Sequence, residues 1–236
     1  MKWPRAKLRG GFLPSFILQT SSFFLATCLL GAQGARADEY TQTSHYSMGL
    51  FPGETLVVET RIGDVTVEGW NEPRVEVEAE KLVRAGSPKK ARKLYDQIRV
   101  SLTSADREAR LRAEFPPRRP WRLFRGATKL SVNFKIRMPA QSNLLLECVD
   151  GDIRVRGVRG DVEARVNYGD VEVVVPSLWN VRSLDARAFL GYAQSSLHFE
   201  GSAGFGRRLR FLNDQGEQDV KLRVRFGGIH VYSDGN

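Results

Sequence analysis

A Gly-Asp pair returns every nine residues in the middle of this chain, at Gly151-Asp152, Gly160-Asp161 and Gly169-Asp170. Each pair is followed by an aliphatic, a charged and then a small or aliphatic residue: Ile153-Arg154-Val155, Val162-Glu163-Ala164, Val171-Glu172-Val173. Period-two alternation broken by a turn at this interval specifies short half-buried strands joined by tight corners. Glycine accepts the positive φ of a corner, and aspartate can bond its own nearby backbone. Strands this short bury no face alone, so the units must stack or fold over one another. The expected fold is mainly β: a repetitive β-solenoid or β-helix-like domain in which two units make one coil. An antiparallel β-sandwich with turns at the same spacing is the alternative. Arg154, Glu163 and Glu172 fall at equivalent outward positions, where opposite charges can align between strands.

Similar alternation extends along the chain. Val65, Val67, Val75, Val77 and Ala79 share one face, and Asn71 and Pro73 fit a turn between two paired strands. Leu130 to Met138 and Gln218 to Phe226 alternate in the same way, and Gly227-Gly228-Ile229-His230-Val231 is a degenerate last unit. An insertion at about 84–128 breaks the series. Within it Ser87-Pro88 reads as a helix cap and first turn, with Ala91, Leu94, Tyr95 and Ile98 at helical spacing. Arg99–Thr103 and Ala109–Phe115 read as a hairpin.

The N-terminus reads as an address. Lys2, Arg5, Lys7 and Arg9 precede a largely apolar run from Phe12 to Leu30, and Ala35-Arg36-Ala37 offers a signal-peptidase site before Asp38. Pro14, Gln19 and the Ser/Thr pairs interrupt that run, against a transmembrane helix. Leu25-Ala26-Thr27-Cys28 is the competing lipoprotein reading, with an acylated Cys28 as the anchor. The expected organisation is a signal peptide over 1–37, a polar lead-in over 38–50 and one repetitive β domain over 51–236. Removal of residues 1–37 takes away five basic and no acidic residues, lowering the formal net charge from +9 to +4. Cys148 then stands alone, alternating with Leu144 and Leu146 as a core thiol.

The candidate contact site is the stretch from Phe115 to Ala127. It carries Arg118, Arg119, Arg122 and Arg125 with Trp121 among them, and three prolines prevent regular pairing. Arginine forks and exposed aromatics suit an anionic glycan, lipid headgroups or a partner protein; the competing reading is a simple connection.

The unit from Leu56 to Trp70 (LVVETRIGDVTVEGW) resembles the opening of a large bacterial family of exported domains of unknown function that carry an adhesin label. Gly151–Gly157 and Gly169–Val173 look like its core repeats. The resemblance implies an all-β repetitive fold outside the cytoplasm and brings no catalytic residues.

Residue chemistry favours no catalyst, metal or cofactor. Each corner supplies one Gly and one Asp, short of the several convergent oxygens a calcium roll needs. His45, His198 and His230 have no partner at metal-ligand spacing. The outward acids alternate with arginines, unlike the close carboxylate pair of a glycan hydrolase. No nucleic-acid module is visible. The leading expectation is a non-enzymatic exported scaffold or adhesin-like surface of the cell envelope, in the periplasm or at the cell surface. Its competitors are a periplasmic binder of anionic polymer or lipid and, behind it, a glycan-acting enzyme on a β-helix.

Overall fold

The computed structural model describes residues 38–116, 130–195 and 203–234. Its recurring motif is a strand that alternates inward and outward residues, bends at a glycine and continues as a second strand. β2 (Thr55–Ile62) bends at Gly63-Asp64 into β3 (Val65–Trp70). β8 (Asn143–Asp150) bends at Gly151-Asp152 into β9 (Ile153–Arg156), and β10 (Val162–Tyr168) at Gly169-Asp170 into β11 (Val171–Val175). Two long strands bend without a break, β12 (Val181–Ser195) at Gly191 and β14 (Gln218–Ser233) at Gly227. These five glycines have φ between +129° and +149°, a region closed to side chains with a Cβ. They also stack. A Cβ on Gly151 would strike the carbonyl of Gly63, one on Gly169 that of Gly151, one on Gly227 that of Gly169, and one on Gly191 that of Gly227.

The strands on either side of the corners pair in parallel in that same order. The first arms run β2, β8, β10, β14, β12, and the second arms run β3, β9, β11, β14, β12. A sixth rung adds β6 (Glu108–Glu114) beside β2 and β7 (Leu130–Pro139) beside β3. Antiparallel strands flank the rungs. β5 (Arg99–Ala105) lies on β6, β4 (Arg74–Ala85) on β7, β1 (Asp38–Gly49) on β4, and β13 (Ala203–Leu212) on β12. The helix α1 (Pro88–Tyr95) is capped by Ser87, which accepts from the Lys90 amide, and turns Ala91 inward. Lys81 of β4 fastens it, donating to the carbonyls of Tyr95 (3.4 Å) and Ile98 (2.8 Å). Among the described residues the strands make one mixed, mainly β sheet, nearly closed and barrel-like. Inward residues of both arms, such as Leu56, Leu146 and Val162 with Val67, Ile153 and Val173, share one core. Burial of each such side chain is worth roughly 1.5–3 kcal/mol.

The corner aspartates bond across rungs rather than to their own backbone, which corrects the expectation from turn chemistry. The Asp64 amide donates to Asn133 Oδ1 (3.1 Å), the Asp152 amide to Asp64 Oδ1 (3.0 Å) and the Asp170 amide to Asp152 Oδ1 (2.9 Å). The Gly228 amide donates to Asp170 Oδ1 (2.6 Å), which completes the ladder. A second ladder runs along the other edge: the Asp161 amide donates to Asn143 Oδ1 (3.0 Å), and the Asp219 amide to Asp161 Oδ1 (2.8 Å). Charge-assisted bonds of this kind satisfy amides that a bend would otherwise leave without partners.

Several expectations change with this topology. The strands do not make a regular solenoid: the rungs stack out of chain order, and four antiparallel strands enclose them. Nor are they a sandwich of antiparallel hairpins, because rung-to-rung pairing is parallel. Residues 38–50 are no loose lead-in, since β1 follows β4 through a twelve-residue register. β3 and β4 are not partners across the Asn71–Pro73 turn; β7 lies between them. The insertion is woven into the sheet, because Ala109, Leu111 and Ala113 give β6 an inner face of its own. Arg154 and Glu172 are register partners, but Glu163 faces Lys221 on the other arm.

Candidate functional site

The register assembles an outward row that the linear sequence conceals. Arg112, Glu59, Glu147 and Arg165 lie side by side on β6, β2, β8 and β10. The row continues through Arg223, Arg187 and Arg208 on β14, β12 and β13. Neighbouring positions are about 5 Å apart. The first four neutralise one another: Arg112 meets Glu59 at 2.5 Å, and Arg165 meets Glu147 at 2.9 Å. From Arg165 onward four arginines stand next to one another, an arrangement that costs stability when charges are directly opposite. One carboxylate serves the last three. Asp185 accepts from Arg208 (2.7 Å), Arg223 (2.9 Å) and Arg187 (3.2 Å). Those bonds, led by the one from Arg208, hold the Asp185 carboxyl well below the usual carboxylate range despite the opposing effect of burial. Two residues away the signs alternate, Glu163, Lys221, Asp185, Arg210, as a sheet without special duty would have them.

An open cavity of about 570 Å³ lies over the end of the row. Arg187, Arg207, Arg208, Arg223 and Arg225 line it, with Phe189 and the backbone of Gly206. Beside it the residues that precede the corner glycines form an apolar shelf. Tyr168 stacks on Phe226 at 5.1 Å, Phe189 meets Phe226 edge-on at 6.4 Å, and Leu190 is the register partner of Phe226. Tyr168, Phe189 and Leu190 are exposed by 51%, 57% and 38%. The Arg225 guanidinium lies 5.6 Å from the Phe226 ring centre and joins shelf to cavity.

A second cluster occupies the far side of the corner. Tyr192 donates to Asp170 Oδ2 (3.3 Å), its hydroxyl lies 3.2 Å from His230 Nε2, and Tyr232 reaches His230 Nδ1 at 3.1 Å. Burial, and then Asp170, push the Tyr192 phenol up. His230 is therefore not isolated. The Tyr192 ring occupies the space a side chain at residue 228 would need.

The candidate contact residues Arg118, Arg119, Trp121, Arg122 and Arg125 lie outside the described residues. Cys148 is buried beneath Gly63 and its thiol is pushed up to about 12 by that burial, so it is an inert core residue. Glu59 and Glu147 are adjacent acids in a groove, but each is held by arginine rather than left to act as acid or base. Among the described residues no group of His, Cys, Asp and Glu has a metal-holding arrangement. The arginine row escaped the sequence because its members sit on four strands scattered between Arg165 and Arg223, each an ordinary outward position of an alternating strand.

The fold and this face define a mainly β protein whose last rungs concentrate arginines. No family model matches the chain, and no curated protein does. Among solved structures it is similar to a "putative cell adhesion protein" from Clostridium sporogenes, with 11% identity, TM-score 0.48, and coverage of 82% of this chain and 100% of that one. It is also similar to a "putative adhesin" from Bacteroides fragilis (10% identity, TM-score 0.25, 81% and 97% covered). A "putative lipid binding protein" from Parabacteroides distasonis matches with 7% identity, TM-score 0.20, and 81% and 96% covered. Likenesses this distant carry no argument about what the chain binds.

Proposed function

We propose that this chain is a non-enzymatic, exported protein of the cell envelope that works by contact, adhesin-like, with its arginine row as an anion-contact face. The observation that carries the reading is the run Arg223, Arg187, Arg208 against the single carboxylate of Asp185. A fold needing only stability gains from alternating signs, as the adjacent row has them. Concentrating one sign raises the local potential and draws anionic polymers or surfaces. The Arg-rich stretch at Arg118, Arg119, Trp121, Arg122 and Arg125 is a second candidate contact of the same sign. Export rests on the basic and apolar residues before Asp38, with acylation at Cys28 as the other processing route. No helix among the described residues is long and apolar enough to cross a membrane.

Two measurements test this. The purified protein is passed over immobilised dextran sulfate, and Arg187→Gln with Arg208→Gln is passed beside it at rising salt. Retention that weakens with salt and falls in the variant is expected; equal retention of both overturns the assignment of the face. N-terminal sequencing of the protein from its own envelope decides the processing: a start at Asp38 supports the cleaved signal, and a blocked Cys28 the lipoprotein.

A further inference from the structure

We propose that the arginine cavity and the shelf beside it take an anionic phospholipid at a bilayer surface, the phosphate in the cavity and the apolar portion over Phe189, Leu190 and Tyr168. This deepens the proposed anion contact and rests on it. Three observations carry it together.

The first is the donor inventory. Among the described residues, the polar side chains lining the cavity are all guanidinium groups, which donate and never accept. Asp185 already accepts from three of them. A neutral sugar brings hydroxyl donors for which these side chains supply no acceptor. A phosphate brings only acceptor oxygens and negative charge, and the guanidinium fork matches it in pairs.

The second is the shelf. An inorganic anion or a fully hydrated polymer has no use for exposed Phe189, Leu190 and Tyr168. An amphiphile covers them. Phe189 belongs to both parts, lining the cavity and meeting the Phe226 edge of the stack, so headgroup and apolar portion would be held next to each other.

The third is the placement. The shelf residues precede stacked glycine corners, so they project from the fixed spine of the rungs. Rigid aromatic and aliphatic groups beside arginines form the pattern of a surface that settles at a headgroup layer.

Flotation of the purified protein with vesicles tests this. Phosphatidylglycerol mixed with phosphatidylcholine is compared with phosphatidylcholine alone, and dextran sulfate retention is measured in parallel. Binding to the anionic vesicles only is expected. It should fall by about tenfold or more in Arg187→Gln with Arg208→Gln, given the attraction each basic residue has for an anionic surface. Phe189→Ser with Leu190→Ser should lose several-fold in vesicle binding while dextran sulfate retention stays unchanged. Each variant is first checked for a wild-type thermal transition; where the paired arginine change lowers it, Arg187→Gln alone is used. Vesicle binding that is indifferent to Phe189 and Leu190, or equal on neutral vesicles, overturns the lipid assignment and leaves the anion contact standing. Dextran sulfate retention with no vesicle binding does the same. Loss of both kinds of binding in the wild type overturns both readings.

Discussion

The two ends of one outward row are built on opposite rules. On β6, β2, β8 and β10 acids match the arginines: Arg112 meets Glu59, which Arg110 also approaches, and Arg165 meets both Glu147 and Glu163. On β14, β12 and β13 three arginines share Asp185. Both ends occupy outward positions of the same sheet, the crowded end somewhat less exposed. The paired end serves solubility and register. The crowded end sets three guanidinium groups against one carboxylate, so positive charge remains in excess there.

Changes that break this contrast have effects of graded size. The largest is common to both ends. Gly169→Ala forces a Cβ against the Gly151 carbonyl at a φ of +133° and should cost about 3 kcal/mol or more, or prevent folding, as urea denaturation would report. Asp185→Asn strikes only the crowded end. It strips three arginines of their shared carboxylate and should cost about 1.5–3 kcal/mol in the same assay. Its pH dependence follows from the sign of the shift. A carboxyl held below its ordinary value of 3.8 contributes its full stability above that pH and loses it as pH falls toward the folded value. The gap between wild type and Asp185→Asn should therefore be constant near neutrality and close only in strong acid. Glu147→Gln removes a half-exposed pair from the balanced end and should cost about 0.5 kcal/mol, less at high salt. Smallest is Arg187→Gln, which gives up two long bonds to Asp185, at 3.2 and 3.3 Å, and relieves repulsion from Arg223 and Arg208. Its stability should stay within about 0.5 kcal/mol of wild type while dextran sulfate retention falls. A large loss of stability there would mean that the crowded end is structural after all.

The sequence made the strands legible because alternation is local. Val132, Phe134, Ile136 and Met138 are all buried as their spacing requires, and the Ser87-Pro88 helix start holds. The corners were legible for the same reason: a Gly-Asp pair is a local signal. Partnership was not. Whether β3 meets β4 or β7 depends on where the chain returns after the insertion, and no pattern within either strand records it. Residues 38–50 show the limit of composition, since a polar strand at the edge of a sheet needs only one neighbour and little apolar surface. The site was the least legible part. Arg165, Arg187, Arg208 and Arg223 become a site only through the register of four strands, and the loop arginines drew notice because they are clustered in one short stretch.

β14 has a consequence for assembly. It comes last in chain order among the described strands, yet it pairs with β10 and β11 on one side and β12 on the other. Until it arrives, the β12–β13 hairpin has no strand partner among the other described strands, and the arginines of β12 and β13 have no Arg223 beside them. Closure of the sheet must wait for these distant pairings, which makes it slow as well as late. A chain that cannot close its sheet before β14 is made stays open until then, the condition a polypeptide needs if it is to be threaded elsewhere first.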